Sequence, residues 1–468
     1  MTGSAAGGAS RQPDPVAADH AAPVALPAEI AERLLLRAAE LAPFGSLQAD
    51  RAALGPTELA ALGTLAVRLA NTYPYGDPHY IGQILKPPHP LAWAAYATTM
   101  LLNPNNHALD GGPATATMER EAVSEIARMF GYEQSLGHLT SSGTIANLEA
   151  LWVARELAGD AVILGAVNAH YTHARMCQLI GAPYEELPQD DRGRIDLDAL
   201  EQRLGVGGVG TVVCTLGSTA LGALDRLEVI ADLCERFEAR LHVDAAYGGF
   251  FALLADDGTP GVAPAPFAAL PRAHSIVVDP HKHGLQPYGC GCVLFADPSV
   301  GRLYAHDSPY TYFTSDELHL GEVSLECTRA GASAAALWAT LQVFPLTRAG
   351  LGAHLSGGRA AAQRVASVLA DSDQLALVVE PELDIICPFP RLGRASEITA
   401  RCDRAFDSLA AAGWHVAKLR CDTSWLRQRH PWIEADSDTV TTLRCALMKP
   451  EHLALAEEIA AVLVEHLS

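Results

Sequence analysis

Between about residue 115 and residue 345 the chain alternates short apolar runs with stretches of helical periodicity, and this alternation restricts its fold more than any other feature. Continuous apolar strands separated by helices are typical of a mostly parallel sheet that helices cover on both faces. The sequence therefore predicts an α/β fold. The predicted strands cover 161–167, 211–215, 240–243, 275–279 and 291–295. The predicted helices cover 118–130, 144–158, 172–180, 196–204, 226–238 and 331–344.

The rest of the chain divides around this region. Residues 1–24 are rich in Ala, Gly, Pro and Asp, a composition typical of a disordered tail. Residues 25–100 have helical character that prolines interrupt, so we expect this N-terminal helical segment to pack on a neighbour rather than to fold alone. The large domain is assigned to 101–345 and a smaller α+β C-terminal domain to 346–468. Strands of the smaller domain are predicted near 377–387 and 439–447.

Charge and hydropathy argue against several classes of partner. The chain has 33 Lys and Arg against 54 Asp and Glu, a net charge of −21. Surfaces that bind nucleic acid or anionic membranes need basic patches, so we expect neither partner. The sequence also contains no apolar run of about 18 residues, the length that a membrane span requires.

Ten cysteines are scattered over predicted strands and helices, and the N-terminus lacks the basic-then-apolar order of a secretory signal. In a chain of this length such cysteines are expected to be reduced core residues, which favours a cytoplasmic location. The pairs Cys290/Cys292 and His170/His173 do not have the spacing of a zinc site, so no metal is predicted.

Polar residues follow four of the predicted strands, close to the points where the strands end. They are His170, Ser218 with Thr219, Asp244 and Lys282. In an open parallel sheet the ligand crevice lies outside the carboxyl ends of the strands. Each residue alone could be a polar group of a turn or of the core whose hydrogen bonds are satisfied within the protein. Because four strands carry such residues at their carboxyl ends, the pattern predicts a binding or catalytic site.

Lys282 lies between His281 and His283, directly after the strand predicted at 275–279. Burial and neighbouring positive charge lower the pKa of an ammonium group, and a neutral amine can then form a Schiff base with a carbonyl. A lone lysine in a loop is usually solvated. The residues at the other strand ends favour the reactive alternative.

Ser142, Gly143 and Thr144 precede a predicted helix. Small residues at a helix N-terminus offer backbone N–H donors and a favourable dipole to an anion, although the same residues also suit an ordinary N-cap. Opposite a reactive lysine and a buried aspartate, a phosphate site is the better interpretation. The glycine-rich run 205–210 is not such a site, because it follows a helix and precedes a strand, the reverse of a dinucleotide-binding loop.

A lysine, an acid, a ring that can stack and a phosphate site together match the requirements of pyridoxal 5′-phosphate. The sequence resembles the fold-type I, group II pyridoxal-phosphate-dependent amino acid decarboxylases, and its motifs are nearest to those of bacterial and archaeal tyrosine decarboxylases. The resemblance rests on the order and spacing of several motifs. These motifs are 102–107, 112–113, Glu119, 142–147, 168–171, 216–219, 242–249, 279–284 and 326–329.

The resemblance implies a fold with a mostly parallel seven-stranded sheet and a role for each matching residue. Lys282 would hold the cofactor covalently, and Asp244 would pair with the pyridine nitrogen. His170 and Ala246 would cover the two ring faces, Thr219 would contact the ring oxygen or the substrate carboxylate region, and Ser142, Gly143 and Thr144 would hold the phosphate. His281 would lie against cofactor and substrate. The proton donor to the substrate carbon would be Tyr310, Tyr312 or His281, and the alternative for the two tyrosines is that they are packing aromatics beside a turn proline. Many relatives carry asparagine in place of Asp279, so a phosphate contact does not carry over directly to that position.

The implied reaction is decarboxylation of an L-amino acid to the amine and CO2 through a Schiff base on Lys282. The resemblance also implies a homodimer whose active sites lie at the subunit interface. In this dimer the segment 25–100 would pack on the partner subunit. Candidate residues for the pocket mouth suit an aromatic or large neutral substrate: His79, Tyr80, Ile81, Trp93 and Tyr96. The alternatives are oxidative deamination to an aldehyde, carbon–carbon lysis of a phosphorylated amino alcohol, and a non-catalytic binding protein. Arg329 could bind a substrate carboxylate or form a structural ion pair, and the resemblance favours the ion pair. His283 receives no role.

Overall fold

The fold is described from a computed structural model that covers residues 54–107, 111–256, 261–305 and 324–468. The predicted tail at 1–24 and the predicted proton donors Tyr310 and Tyr312 lie outside the described residues.

A seven-stranded sheet forms the centre of the large domain, with the strand order β1-β7-β6-β5-β4-β2-β3. Its strands are β1 Leu136–Thr140, β2 Val162–Ala166, β3 Tyr184–Leu187, β4 Val209–Thr215, β5 Arg240–Asp244, β6 Ser275–Val278 and β7 Gly291–Phe295. Strands β2 to β6 pair in parallel, whereas β7 runs antiparallel to both β6 and β1. The predicted α/β fold with a mostly parallel seven-stranded sheet is confirmed.

Helices cover the sheet and connect its strands. In chain order those of the large domain are α3 Pro113–Met129, α4 Gly143–Ala158, α5 Thr172–Ile180, α6 Leu197–Val206, α7 Leu227–Arg236, α8 Pro264–Ala268 and α9 Gly331–Val343. All residues of β6 and β7 are buried, as expected for strands covered on both faces. Gly207 and Gly208, both at positive φ, join α6 to β4, so the glycine-rich run is the predicted helix-to-strand connection.

The five strands predicted in the large domain are present, but β1 and β3 were not predicted. Strand β1 contains Gly137 and His138, and β3 contains two glutamates, so neither has the continuous apolar character of the others. Both are edge strands whose extended form is stabilised by pairing, β1 with β7 and β3 with β2. Pairing of this kind overrides weak local propensity.

The C-terminal domain contains two small antiparallel sheets, with the orders β11-β12-β9 and β10-β8, packed with helices. Its elements are α10 Leu351–Ala370, β8 Leu375–Leu377, β9 Ile385–Ile386, β10 Pro388–Pro390, α11 Ala395–Ala411, β11 Ala417–Asp422, α12 Thr423–Arg429, β12 Thr439–Ala446 and α13 Ala456–Leu467. The prediction at 377–387 was wrong as a single strand, because residues 378–384 separate β8 from β9. Strand β11 was not predicted, since it is largely exposed and forms by pairing with β12.

The described part of the N-terminal segment contains α1 Pro56–Leu69 and α2 Pro90–Met100, each with a proline in its first turn, where no intrahelical donor is lost. Residues between them pack on the chain's own C-terminal domain: the Ile81 amide donates to the His415 carbonyl at 2.8 Å, and the Ala446 amide donates to the Ile81 carbonyl at 2.7 Å. Helix α1 buries none of its residues. Within the described part of the chain, no helix has both the length and the apolar character needed to cross a membrane.

Candidate active site

A cavity of about 230 Å³ lies at the carboxyl edge of the large sheet, where β2, β4, β5 and β6 end. All nine residues predicted to hold a cofactor line it: Ser142, Gly143, Thr144, His170, Thr219, Asp244, Ala246, His281 and Lys282. Carboxyl ends of parallel strands meet at one edge, and this is the physical reason why residues more than 100 positions apart come together.

Lys282 is held by carboxylates rather than surrounded by cations. Its Nζ lies 2.9 Å from Asp279 Oδ2, and its side chain keeps 22% of its exposure. Burial alone would lower the pKa of Lys282, but the charges of Asp279 and Asp244 outweigh burial and raise this pKa above its ordinary value. The prediction that burial and neighbouring cations lower the pKa of Lys282 was therefore wrong, because the sequence did not reveal that Asp279 faces the amine.

Asp244 ends β5 and is held as an oriented carboxylate. Its Oδ2 accepts from His173 Nε2 at 3.2 Å, and its Oδ1 accepts from the Ala246 amide at 3.1 Å. Burial would raise the pKa of Asp244, but the hydrogen bond from His173 and the positive charge of Lys282 hold it below its ordinary range. An ionised carboxylate in a cavity can pair with a cationic N–H of a ligand.

Behind Asp244 lies a buried polar network that the sequence interpretation missed. His242 Nε2 lies 2.8 Å from Asn147 Oδ1, and His242 Nδ1 lies 2.9 Å from Ser275 Oγ. Asn147 Oδ1 is also 3.4 Å from His173 Nε2. One signal was available, because His242 precedes Asp244 by two residues in a strand and the two side chains therefore share a face.

Two histidines of the cavity are held by their Nδ1 atoms. His170 Nδ1 accepts from the Thr172 amide at 3.2 Å, whereas His281 Nδ1 lies 2.7 Å from the Cys290 carbonyl oxygen and donates to it. Burial lowers the pKa of each, so both are neutral rings near neutral pH. The ring of Tyr288 lies 5.0 Å from that of His281 and extends the aromatic lining outward.

The N-terminus of α4 is part of the cavity lining and lies beside Asp279, the residue that contacts Lys282. Ser142 is its N-cap, with Oγ accepting from the Ile145 amide at 3.4 Å. A Cβ at Gly143 would lie 2.5 Å from Asp279 Oδ2, so only glycine allows this close approach. The buried oxygens Thr215 Oγ1 and Asp279 Oδ1 have no hydrogen-bond partner among the described residues. A helix N-terminus, an amine and unpartnered polar atoms around one cavity fit a polar, anionic ligand with a carbonyl group.

Ser218 and Thr219 have different positions although they are adjacent. Ser218 is buried outside the cavity lining, and its Oγ accepts from the Ala223 amide at 3.2 Å, so it shapes the loop. The Thr219 carbonyl accepts from Arg444 Nη2 at 2.7 Å, and Arg444 also donates to the Ala220 and Gly82 carbonyls. Arg444, which belongs to β12, was not predicted; its side chain donates to three backbone carbonyls and so holds the Thr219 loop.

None of the five residues predicted at the pocket mouth lines the cavity. Tyr80 and Ile81 are buried, because backbone hydrogen bonds join their segment to the C-terminal domain. His79 packs against Trp414 with ring centroids 4.3 Å apart. Trp93 and Tyr96 belong to α2, which packs on α9. The assignment of these residues to the pocket mouth stays a prediction, and in a single chain the proline-rich segment packs on residues 415 and 446.

Two further motif residues are structural. Arg329 forms a buried ion pair with Glu119, and the same guanidinium donates to the Leu139 carbonyl at 2.7 Å, so the ion-pair alternative is the one observed. His283 is buried between the rings of Tyr247 and Phe251, with Nε2 3.4 Å from Asp384 Oδ2. It joins the large domain to the smaller one and does not reach the cavity.

Comparisons with known proteins show which sequences and folds this chain is similar to. A family model described as the pyridoxal-dependent decarboxylase conserved domain matches residues 91–389. A probable L-tyrosine/L-aspartate decarboxylase of Methanothermobacter thermautotrophicus is 30% identical over 350 residues, which cover 74% of this chain and 91% of that protein. A probable L-aspartate decarboxylase of Halobacterium salinarum is 30% identical over 337 residues, 72% of this chain and 86% of that protein. A crystal structure of Oryza sativa TDC with PLP and tryptamine has a similar fold, with a TM-score of 0.76 and 17% identity over 96% of this chain and 100% of that chain.

Proposed function

The chain belongs to the pyridoxal-dependent decarboxylase family, and on that premise we propose that it removes the α-carboxyl group from an L-amino acid with an aromatic or large neutral side chain. Membership makes the chain a carboxy-lyase that uses pyridoxal 5′-phosphate and acts on an amino acid. The side-chain class of the substrate and the roles of individual residues are the proposal. The observation that carries it is the single cavity shared by Lys282, Asp244, His170 and the N-terminus of α4.

When bound, pyridoxal 5′-phosphate supplies a carbonyl that condenses with amines and a ring that accepts the electron pair left by departing CO2. Lys282 would supply the amine that attaches to this carbonyl. Asp244, held ionised, would keep a proton on the ring nitrogen. The backbone N–H groups at Ser142, Gly143 and Thr144 would hold the phosphate.

The remaining cavity residues orient the reacting groups and exclude water. His170 and Ala246 would cover the two faces of the ring, and Thr219 would contact the ring oxygen or the substrate carboxylate region. His281 lies against the substrate, and its proton on Nδ1 is engaged by the Cys290 carbonyl. Tyr310, Tyr312 or His281 would return a proton to the substrate carbon.

The described lining of the cavity favours a neutral substrate side chain over an acidic one. Among the lining residues that the structure describes, Lys282 is the one lysine or arginine, and the reaction uses its amine. A side-chain carboxylate would therefore be buried beside Asp244 and Asp279 without a cation of its own, which is unfavourable. Outward from His281, Tyr288 offers an aromatic face to a ring or a large apolar side chain.

A CO2-release assay on purified holoenzyme tests this proposal. We expect release from tyrosine, phenylalanine, tryptophan or leucine to exceed release from aspartate or glutamate by at least about 100-fold in kcat/KM, because an unpaired buried carboxylate costs several kcal/mol. Hydrogen peroxide and ammonia are measured in the same reactions. A preference for aspartate would overturn the substrate class, and one peroxide per CO2 would overturn the simple decarboxylation.

Asp279→Asn tests the effect of the carboxylate that faces Gly143 and Lys282. Because Asp279 helps to raise the pKa of Lys282, its removal lowers that pKa, so a larger share of the amine is neutral at a given pH. The curve of cofactor-attachment rate against pH should therefore shift to lower pH in the variant. The affinity of the variant for the cofactor should improve by about fivefold, because a negative charge beside the cofactor phosphate is removed.

Rapid-mixing absorbance between about pH 6 and about pH 9 measures this shift, with Asp297→Asn outside the cavity as the control. An unchanged curve would mean that Asp279 does not govern the amine. Weaker binding of the cofactor would mean that the Asp279 carboxylate contributes a favourable contact.

We also propose a homodimer, supported by the exposed apolar stripe on α1. Leu59, Leu62 and Leu65 follow one another at helical spacing and are 56%, 49% and 49% exposed. Exposed apolar stripes of this kind mark contact surfaces. Light scattering after gel filtration should give twice the chain mass of 49.5 kDa, and the double substitution Leu62→Lys with Leu65→Lys should shift the protein toward monomer. A native protein at the mass of one chain would contradict the dimer.

A cytoplasmic location completes the proposal. All ten cysteines are free thiols, nine of them buried, and thiols persist in reducing compartments. Cell fractionation followed by immunodetection tests it; recovery in the membrane or secreted fraction would contradict it.

A further inference from the structure

The polar network behind Asp244 has no assigned part in the chemistry above, and His173 is its member that contacts the Asp244 carboxylate. His173 lies in the first turn of α5 and is fully buried. It is not among the cavity-lining residues, whereas its neighbours Tyr171 and Thr172 are. Its side chain therefore acts on a ligand indirectly, and its nearest polar contact among the described residues is Asp244 Oδ2 at 3.2 Å.

The proton positions in this network follow from the acceptors around it. Asn147 Oδ1 and Asp244 Oδ2 can only accept, so the imidazole nitrogens that face them, Nε2 of His242 and Nε2 of His173, must carry hydrogen. His242 Nδ1 then accepts from the Ser275 hydroxyl at 2.9 Å. Burial lowers the pKa of His242 to about 3, so this ring stays neutral and its tautomer is fixed.

We propose that His173 is a positioning residue for Asp244, and that its Nε2–H keeps the carboxylate oriented and ready to bind the protonated ring nitrogen of the cofactor. This inference rests on the proposed function in one respect only, the pairing of Asp244 with that nitrogen.

The contact has no evident substitute among the described residues. The other hydrogen bond recorded for the Asp244 carboxylate is the one from the Ala246 amide, and it engages Oδ1 rather than Oδ2. Without His173, the buried Oδ2 of Asp244 would have no donor among the described residues, and a hydrogen bond to a charged group would be lost. Such a carboxylate is freer to rotate and to take up a proton, and it then binds a ring N–H less well.

His173→Phe tests the inference, since phenylalanine fills the space and removes the donor. The readout is the dissociation constant of pyridoxal 5′-phosphate, measured by absorbance titration of the apoenzyme. We expect affinity to fall by about 10-fold or more, the effect typical of losing a charge-assisted hydrogen bond. His173→Gln keeps an N–H at similar reach and should bind within about threefold of the natural protein.

A cofactor analogue with carbon in place of the ring nitrogen shows whether His173→Phe acts through the position of Asp244 or through general damage to the cavity. It keeps the phosphate and the aldehyde but offers no N–H to Asp244, so His173→Phe and the natural protein should bind it equally. Cys177→Ala is the matched structural control, because Cys177 is buried one turn further along the same face of α5. It should lower the melting temperature and leave the preference between the two cofactors unchanged.

Two results for His173→Phe would overturn the inference and leave His173 a structural residue. One is an equal loss of affinity for pyridoxal 5′-phosphate and for its carbon analogue. The other is unchanged affinity for both together with a lower melting temperature. These titrations contain no amino acid substrate. A protein that shows the expected preference between cofactors but releases no CO2 from any amino acid would therefore keep the inference and refute the proposed function.

Discussion

Replacing Lys282 with alanine should abolish covalent attachment of the cofactor and reduce CO2 release by at least about 1,000-fold. Lys282 is the one described lysine that lines the cavity, and its Nζ is held 2.9 Å from Asp279 Oδ2 at the end of β6. Without this amine no described group in the cavity can form the same covalent bond. The cofactor would bind through its phosphate and ring nitrogen alone.

Borohydride reduction followed by peptide mass spectrometry provides the measurement, because hydride converts the imine to a stable secondary amine on the attached lysine. Lys86→Met is the matched control. Burial lowers the pKa of Lys86 to about 8, so by pKa alone Lys86 would be a more reactive amine than Lys282. Lys86 lies outside the cavity lining, however. The assignment of Lys282 as the attachment site would be wrong if the reduced cofactor were found on Lys86, or if Lys282→Ala released CO2 at an undiminished rate.

Asp244→Asn should leave the cofactor attached to Lys282 but slow CO2 release by about 100-fold or more. Asparagine has the same shape and can still bind to the Ala246 amide, but it has no negative charge to keep a proton on the ring nitrogen. The affinity for the amino acid should change little, so the loss is expected in kcat rather than in KM.

Steady-state kinetics with a matched variant test this expectation. Asp225→Asn also removes a buried carboxylate at the same edge of the sheet, where Asp225 accepts from the Thr215 and Ile195 amides at 2.7 and 2.8 Å. It should lower stability while kcat stays within a few-fold of the natural value. If both variants lose kcat to the same extent, the charge of Asp244 has no special part in the reaction.

The sequence predicted the interior of the large domain well because its central strands are buried on both faces and carry an almost unbroken apolar pattern. It failed at β1, β3 and β11, whose extended form depends on pairing with β7, β2 and β12. It also did not show the path of the segment around Ile81, which backbone hydrogen bonds to residues 415 and 446 fix. Contacts between residues hundreds of positions apart leave no local periodicity.

By itself the sequence determined which chemical groups meet, since residues that follow parallel strands necessarily reach one edge of the sheet, and Lys282, Asp244 and His170 follow such strands. Only the tertiary structure decided what surrounds those groups. It placed Asp279 against the amine, which reverses the expected direction of the pKa of Lys282. It also placed His173 against the Asp244 carboxylate. Electrostatic effects depend on distances of a few ångströms between side chains, and strand order fixes only the neighbourhood in which those distances are set.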